Sequence, residues 1–200
     1  MVIGGWDDDN TRALASVEAL AADCSGWAAL TPMGMPRFGH VAVALPCGKV
    51  LVAGGTTRGS HQPIKTAELW DPATGAWSEL PDMAHERAFA DCCLLPDGRA
   101  AVVGGWEFGG HMRTDGEAFD VEAQTWQPLP HMAHARRLHG LGAVVGGLLA
   151  VGGTINAPSE LFDEASGRWF ELPHPMAEPR VRCKIVSLPA SAPPAAGAVA

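Results

Sequence analysis

The chain contains no tyrosine, and aromatic residues of all kinds make up only 6% of it. Charged residues are sparse too, at 18%. The net charge is −8 with no basic run or stripe, so the electrostatic footprint that draws a protein to nucleic acid is missing. No apolar stretch approaches the roughly 20 residues that span a bilayer, which argues against a membrane partner. The opening Met-Val-Ile-Gly-Gly-Trp-Asp-Asp-Asp has neither the basic leader nor the apolar segment expected of a signal peptide. The five cysteines (Cys24, Cys47, Cys92, Cys93 and Cys183) are odd in number and lack metal-ligand spacing. They read as free thiols packed as small apolar groups in a reducing compartment, the cytoplasm or the nucleus. No nucleophile motif, phosphate-binding loop or paired carboxylates stand out, and no cofactor is implied.

Glycine and proline, by contrast, are plentiful, at 24 and 16 of 200 residues. Scattered, they would signal low complexity; here they fall at fixed points of a repeat. A Gly-Gly pair recurs at Gly4-Gly5, Gly54-Gly55, Gly104-Gly105 and Gly152-Gly153. Each pair is followed by a Glu and, nine residues after it, a Trp: Glu18/Trp27, Glu68/Trp77, Glu117/Trp126 and Glu160/Trp169. A Met with an Arg four residues on completes the pattern: Met33/Arg37, Met83/Arg87, Met132/Arg136 and Met176/Arg180. Repeats near this length belong to propellers or solenoids, whose units cannot bury their own apolar faces alone.

Residues 37–80 show the unit best. Val41–Leu45 and Val50–Ala53 are short β-branched runs, expected as strands buried on both faces. Thr66–Trp70 alternates polar and apolar, as a strand covered on one side would. Asp71-Pro72-Ala73-Thr74-Gly75 is a hairpin turn leading to an outer strand, Trp77–Leu80. Four short antiparallel strands of this kind make one blade of a β-propeller.

The Gly-Gly pair, the Glu-x-x-Asp, the Trp nine residues after Glu and the Met-x-x-x-Arg together resemble the kelch repeat over residues 1–188. The resemblance implies an all-β kelch-type propeller of about four blades of four antiparallel strands. Its units are about 1–30, 31–80, 81–129 and 130–172, and one blade is completed by a C-terminal closing strand, 181–188, beside Val2–Gly5. The alternative is an incomplete segment of a six- or seven-bladed propeller. Residues 189–200 read as a flexible tail. Kelch blades often carry a Tyr before the third-strand Asp, where this chain has Trp70, Phe119 and Phe162.

Kelch repeats commonly serve as protein-interaction modules, so the resemblance implies a protein or peptide ligand and a role as a substrate-recognition or scaffold subunit. Membership of a cullin-type ubiquitin ligase follows only from the same resemblance. An enzyme, such as a sugar isomerase or epimerase on the same fold, is the second reading. Copper-radical oxidase chemistry, as the family performs it, needs the tyrosine that is missing.

What every unit repeats is read as scaffold, and what differs is where specificity sits. The loops after the Gly-Gly pairs vary most. They offer Trp6, Asp8, Asn10 and Arg12 in the first unit, Arg58 and His61 in the second, and Trp106, Glu107, Phe108, His111 and Arg113 in the third. Aromatics beside charges suit a binding hot spot. The residues just after each repeated Arg, given by the resemblance as Phe38, Phe89, Leu138 and Arg182, join them, with Phe89 the foremost. His40, His139 and Cys183, each three residues after an Arg, form a candidate metal set, and Asp7-Asp8-Asp9-Asn10 clusters oxygen ligands without the spacing or closing Glu of a calcium loop.

Overall fold

A computed structural model describes residues 1–7, 12–57, 62–154 and 157–186. Among these the regular structure is entirely β, in fifteen strands arranged as four antiparallel sheets. The first sheet has three strands, β1 (Val2–Trp6), β2 (Ala13–Leu20) and β3 (Trp27–Leu30). The other three have four each, running from the axis outwards. They are β4 (Val41–Ala44), β5 (Val50–Ala53), β6 (Ala67–Asp71) and β7 (Ala76–Leu80); then β8 (Asp91–Leu94), β9 (Ala100–Val103), β10 (Gly116–Asp120) and β11 (Thr125–Leu129); then β12 (Gly140–Val144), β13 (Gly147–Val151), β14 (Glu160–Asp163) and β15 (Arg168–Glu171).

Turn chemistry sets the hairpins. At the outer turn of the second sheet, Gly75 adopts φ +69° and its N–H reaches the Asp71 carbonyl, while the Asp71 carboxylate accepts the Ala73 N–H. In the third sheet Gln124 holds the same left-handed position at φ +55°, so the turn forms without its glycine. The Gly-Gly pairs serve a different need. A Cβ on Gly54 would lie 2.2 Å from the Arg87 carbonyl, and the Gly55 N–H donates to that same carbonyl at 2.8 Å. The bond recurs from Gly5 to Arg37, Gly105 to Arg136 and Gly153 to Arg180. Only glycine lets one sheet's second strand approach the next sheet's lead-in so closely.

Two burial patterns differ from expectation. β4 is not buried on both faces, because Ala42 and Ala44 are exposed on the innermost strand. The third strands are more buried than their alternation implies: Ala67, Glu68 and Leu69 are all inside. The polar residue, one of the repeated glutamates read as scaffold, is the acceptor of a buried ion pair. Arg37, 1% exposed, donates to Glu68 at 2.9 Å and to the carbonyls of Gly54 and Thr66. Glu68 also accepts the Gly34 and Met35 N–H groups. Arg87 with Glu117 and Arg136 with Glu160 repeat the arrangement. A guanidinium and carboxylate so fully bonded recover the cost of leaving water, which a lone charge could not.

Apolar burial lies mainly between successive sheets. Leu51, Leu69, Met83, Val102 and Phe119 knit the second sheet to the third; Val103, Met132, Leu148 and Phe162 knit the third to the fourth. The repeated Trp closes each joint from outside. Trp77, Trp126 and Trp169 donate their indole N–H to the carbonyls of Thr31, Pro81 and Pro130, each just after the last strand of the preceding sheet.

Ring closure by the C-terminal strand is not formed among the described residues. β1 pairs only with β2, and its sheet has no innermost strand. Residues 181–186 lie beside β12 instead, with Ile185 against Gly140 and Gly142 and the Arg182 N–H on the Leu138 carbonyl. The Gly153–Arg180 bond repeats at this joint the bond made at the three earlier ones. Residues 187–200, which include the rest of the expected strand and the tail, lie outside the described residues.

Candidate partner-binding face

Two residues after each repeated Arg the backbone enters the left-handed region: Gly39 (φ +60°), Phe89 (+57°), Leu138 (+54°) and Arg182 (+57°). The N–H of Phe89 donates to Gly39, that of Leu138 to Phe89 and that of Arg182 to Leu138, at 2.7, 2.8 and 2.6 Å. A hydrogen-bonded arc thus passes from blade to blade around the axis. A non-glycine residue in this conformation costs about 1 kcal/mol, so three of the four positions carry strain that the arc holds in place. The counterpart of Phe89 in the second unit is therefore Gly39. Phe38 stands one position earlier and is buried, stacked against Trp6 with ring centroids 3.9 Å apart.

One residue further on, the side chains turn away from the axis. His40 packs on Gly4, His139 on Gly104 and the Cys183 sulfur on Gly152, each within about 3 Å of where a Cβ would stand. Among the described residues no three His, Cys, Asp or Glu side chains gather as metal ligands would. His139 is 2% exposed and neither ring nitrogen has a hydrogen-bond partner among the described residues. Burial, with Arg136 and Lys184 nearby, lowers its pKa to about 3; burial and Arg37 lower that of His40 to about 4. Both are neutral near pH 7. Burial likewise pushes the Cys92 and Cys93 thiols up to about 12, which keeps them protonated.

The loop residues divide. Trp6 lies over Phe38, and Phe38 meets Phe89 edge-on at 5.9 Å, so Trp6 and Phe89 share one aromatic row. The Trp106 backbone bridges Ala88 and Met112, which fixes the third loop beside the arc. Phe108 is 69% exposed at the tip of that loop, its N–H directed to the Glu86 carboxylate. His111 is exposed and its carbonyl accepts the Glu107 N–H. Arg113 and Glu107, expected to meet a partner, are engaged with each other, and Arg113 also binds Asp115 at 2.7 Å. Asp115 in turn contacts Arg87, so its carboxyl sits below the usual range, held there by Arg113 and Arg87 against its own burial. Arg12 pairs with Asp7 at 3.4 Å. Asp8, Asp9, Asn10, Arg58 and His61 lie outside the described residues.

Sequence reasoning misses Arg137. It adjoins the structural Arg136, where a doublet reads as one feature, yet it holds the position of Phe38 and Ala88 in earlier units. Neither Arg137 nor Arg182 has an ion-pair partner among the described residues, whereas Lys184 is tied to Asp91 at 2.6 Å.

Sheets stapled in series around an axis, with unlike side chains displayed on a common backbone arc, define a β-propeller. The profile of the kelch motif matches residues 37–84. Kelch-like protein 23 of Homo sapiens is 29% identical over 188 residues, covering 92% of this chain and 32% of the relative. Kelch domain-containing protein 8B of Rattus norvegicus is 31% identical over 144 residues, covering 64% and 40%. The solved structure of YjhT superposes with a TM-score of 0.70 at 16% identity, over 90% of this chain and 66% of that one. The chain carries a kelch motif and is similar to these kelch proteins, and it spans about a third to two fifths of the length of the two curated relatives.

Proposed function

We propose that the chain is a protein-interaction module that takes a protein or peptide partner on the face formed by the arc and the 106–113 loop, as a substrate-recognition or scaffold subunit does. The arc itself carries this reading: one hydrogen-bonded frame presents hydrogen, phenyl, isobutyl and guanidinium groups at four equivalent positions. Strain held at such a place is a mark of function, and variation on a rigid frame is how binding surfaces acquire specificity. Phe89 and Phe108 supply apolar anchors, and Arg137 and Arg182 favour a partner that brings carboxylates among apolar groups. A place in a cullin-type ligase rests on resemblance to the family alone.

The isomerase or epimerase reading needs exposed acid and base groups at the channel mouth. The histidines there are neutral, covered and packed on glycine, and the axial pocket is about 190 Å³, below the usual range for small-molecule sites. Affinity purification with quantitative mass spectrometry tests the interaction reading. Proteins enriched on the wild-type chain are expected to fall about tenfold on Phe89→Ala and Arg182→Glu baits, a loss of about 1.4 kcal/mol. Equal recovery on all baits sinks it.

A further inference from the structure

The 106–113 loop is built inside out. Its apolar side chains are outside: Phe108 and Met112 are both exposed. The charged side chains at its end are inside: those of Arg113 and Asp115 are only 13% and 11% exposed. The burial of apolar area that orders most segments is therefore not what orders this one.

A chain of alternating charge does so instead. The Arg113 guanidinium holds the Asp115 carboxylate through two bonds, from Nε at 2.7 Å and from Nη2 at 2.9 Å, and its Nη1 holds Glu107 at the start of the loop. Asp115 meets Arg87 at 3.1 Å, and Arg87 meets Glu117 inside the joint between the second and third sheets. The two ends of the loop are thus strapped to each other and to the frame, by a forked pairing that fixes direction as well as distance. Backbone groups complete it: the Glu107 N–H donates to His111, the Gly110 N–H to Glu107 and the Phe108 N–H to the Glu86 carboxylate. Gly109 and Gly110, at φ +93° and +90°, turn the chain at the tip.

The frame does not need this strap. The Arg87 N–H donates to the Ile64 carbonyl as the Arg136 N–H does to that of Arg113, and Arg37 reaches the Thr66 carbonyl as Arg87 reaches that of Asp115. Ile64 and Thr66 therefore stand in the second unit where Arg113 and Asp115 stand in the third. Neither can carry an ion pair, and the Arg37–Glu68 joint forms all the same.

We infer that Arg113 and Asp115 are positioning residues, which hold the loop as a pre-ordered finger whose tip, Phe108, fills an apolar socket on the partner. This rests on the reading of the face given above. A loop ordered in advance loses no freedom on contact, and a fixed aromatic is what an anchor requires.

Chymotrypsin under native conditions tests the strap, with mass spectrometry following the bond after Phe108 and, as control, the bond after buried Phe119. Arg113→Met is expected to raise cutting after Phe108 at least about tenfold and to leave Phe119 uncut, with Arg113→Lys, which keeps the charge, in between. The second arm uses the proteins enriched on the wild-type chain. Arg113→Met is expected to lower their recovery about tenfold, as Phe108→Ala does, and the double variant no further. Equal cutting after Phe108 in wild type and Arg113→Met overturns the inference, as does cutting gained at both bonds together, which a purely structural role would give. So does a double variant whose loss is the product of the two single losses, because Arg113 would then meet the partner itself. Recovery that falls on Phe89→Ala and Arg182→Glu but stays full on Phe108→Ala and Arg113→Met keeps the face and overturns the finger. Recovery equal on every bait removes the face and the socket with it, while the cutting ratio still decides the strap.

Discussion

Leu138 holds φ +54° inside the arc, and its N–H and the Arg182 N–H tie it to the blades on either side. The strain there is a property of its Cβ, so it is removed by glycine and not by alanine. Leu138→Gly and Leu138→Ala delete the same side-chain contacts beyond Cβ. The glycine variant is therefore expected to be the more stable of the two by about 1 kcal/mol, the reverse of their order in a helix or strand. Urea unfolding of both gives the answer, and an alanine variant of equal or higher midpoint would mean that the position is not left-handed. Only Gly39 hints at this conformation in the sequence. Phe89, Leu138 and Arg182 give no such signal, because a left-handed non-glycine residue is imposed by its surroundings. That is why Phe38, next to Arg37, reads as the partner of Phe89 when Gly39 occupies the equivalent place.

The buried Arg–Glu pair decides how each blade is fastened. Arg87 lies 1% exposed between the Glu117 carboxylate, Asp115 and the Gly104 carbonyl. Arg87→Met leaves the Glu117 carboxylate buried without its cation, while Asp115 keeps Arg113, and is expected to cost about 3–5 kcal/mol. Arg180→Met removes the repeat's identical residue where it is exposed and outside any ion pair among the described residues, and is expected to cost under about 0.5 kcal/mol. Equal losses in chemical denaturation would show that the ion pair is not what distinguishes them. The sequence pattern makes the strands and turns of each blade legible, because β-branched runs, Gly-containing turns and the Glu-to-Trp spacing all depend on local chemistry. Burial is less so. The strand alternates as one covered on a single side would, and the repeated Glu reads as scaffold; its contact with Arg37, 31 residues earlier, puts Glu68 inside. The same long-range pairing occupies Arg113 and Glu107, whose charges looked free for a partner.

Taken as a molecule, the four sheets form a chain of nearest-neighbour contacts, and such arrays gain stability joint by joint. The joints are unequal. The second and third sheets share a cluster of eleven buried apolar residues, and the third and fourth share ten. The first and second share three, Val17, Met33 and Val52, with Trp77 and Ile3 packed around them. The first sheet also has three strands where the others have four, and β1 pairs on one side only among the described residues. Local opening follows buried contact, and the β1–β3 sheet is expected to exchange its amide hydrogens well before β5, β6, β9 and β10. Hydrogen exchange read by mass spectrometry resolves these segments. Exchange in β1–β3 as slow as in β9 and β10 would mean that buried contact between the sheets does not set the order of opening.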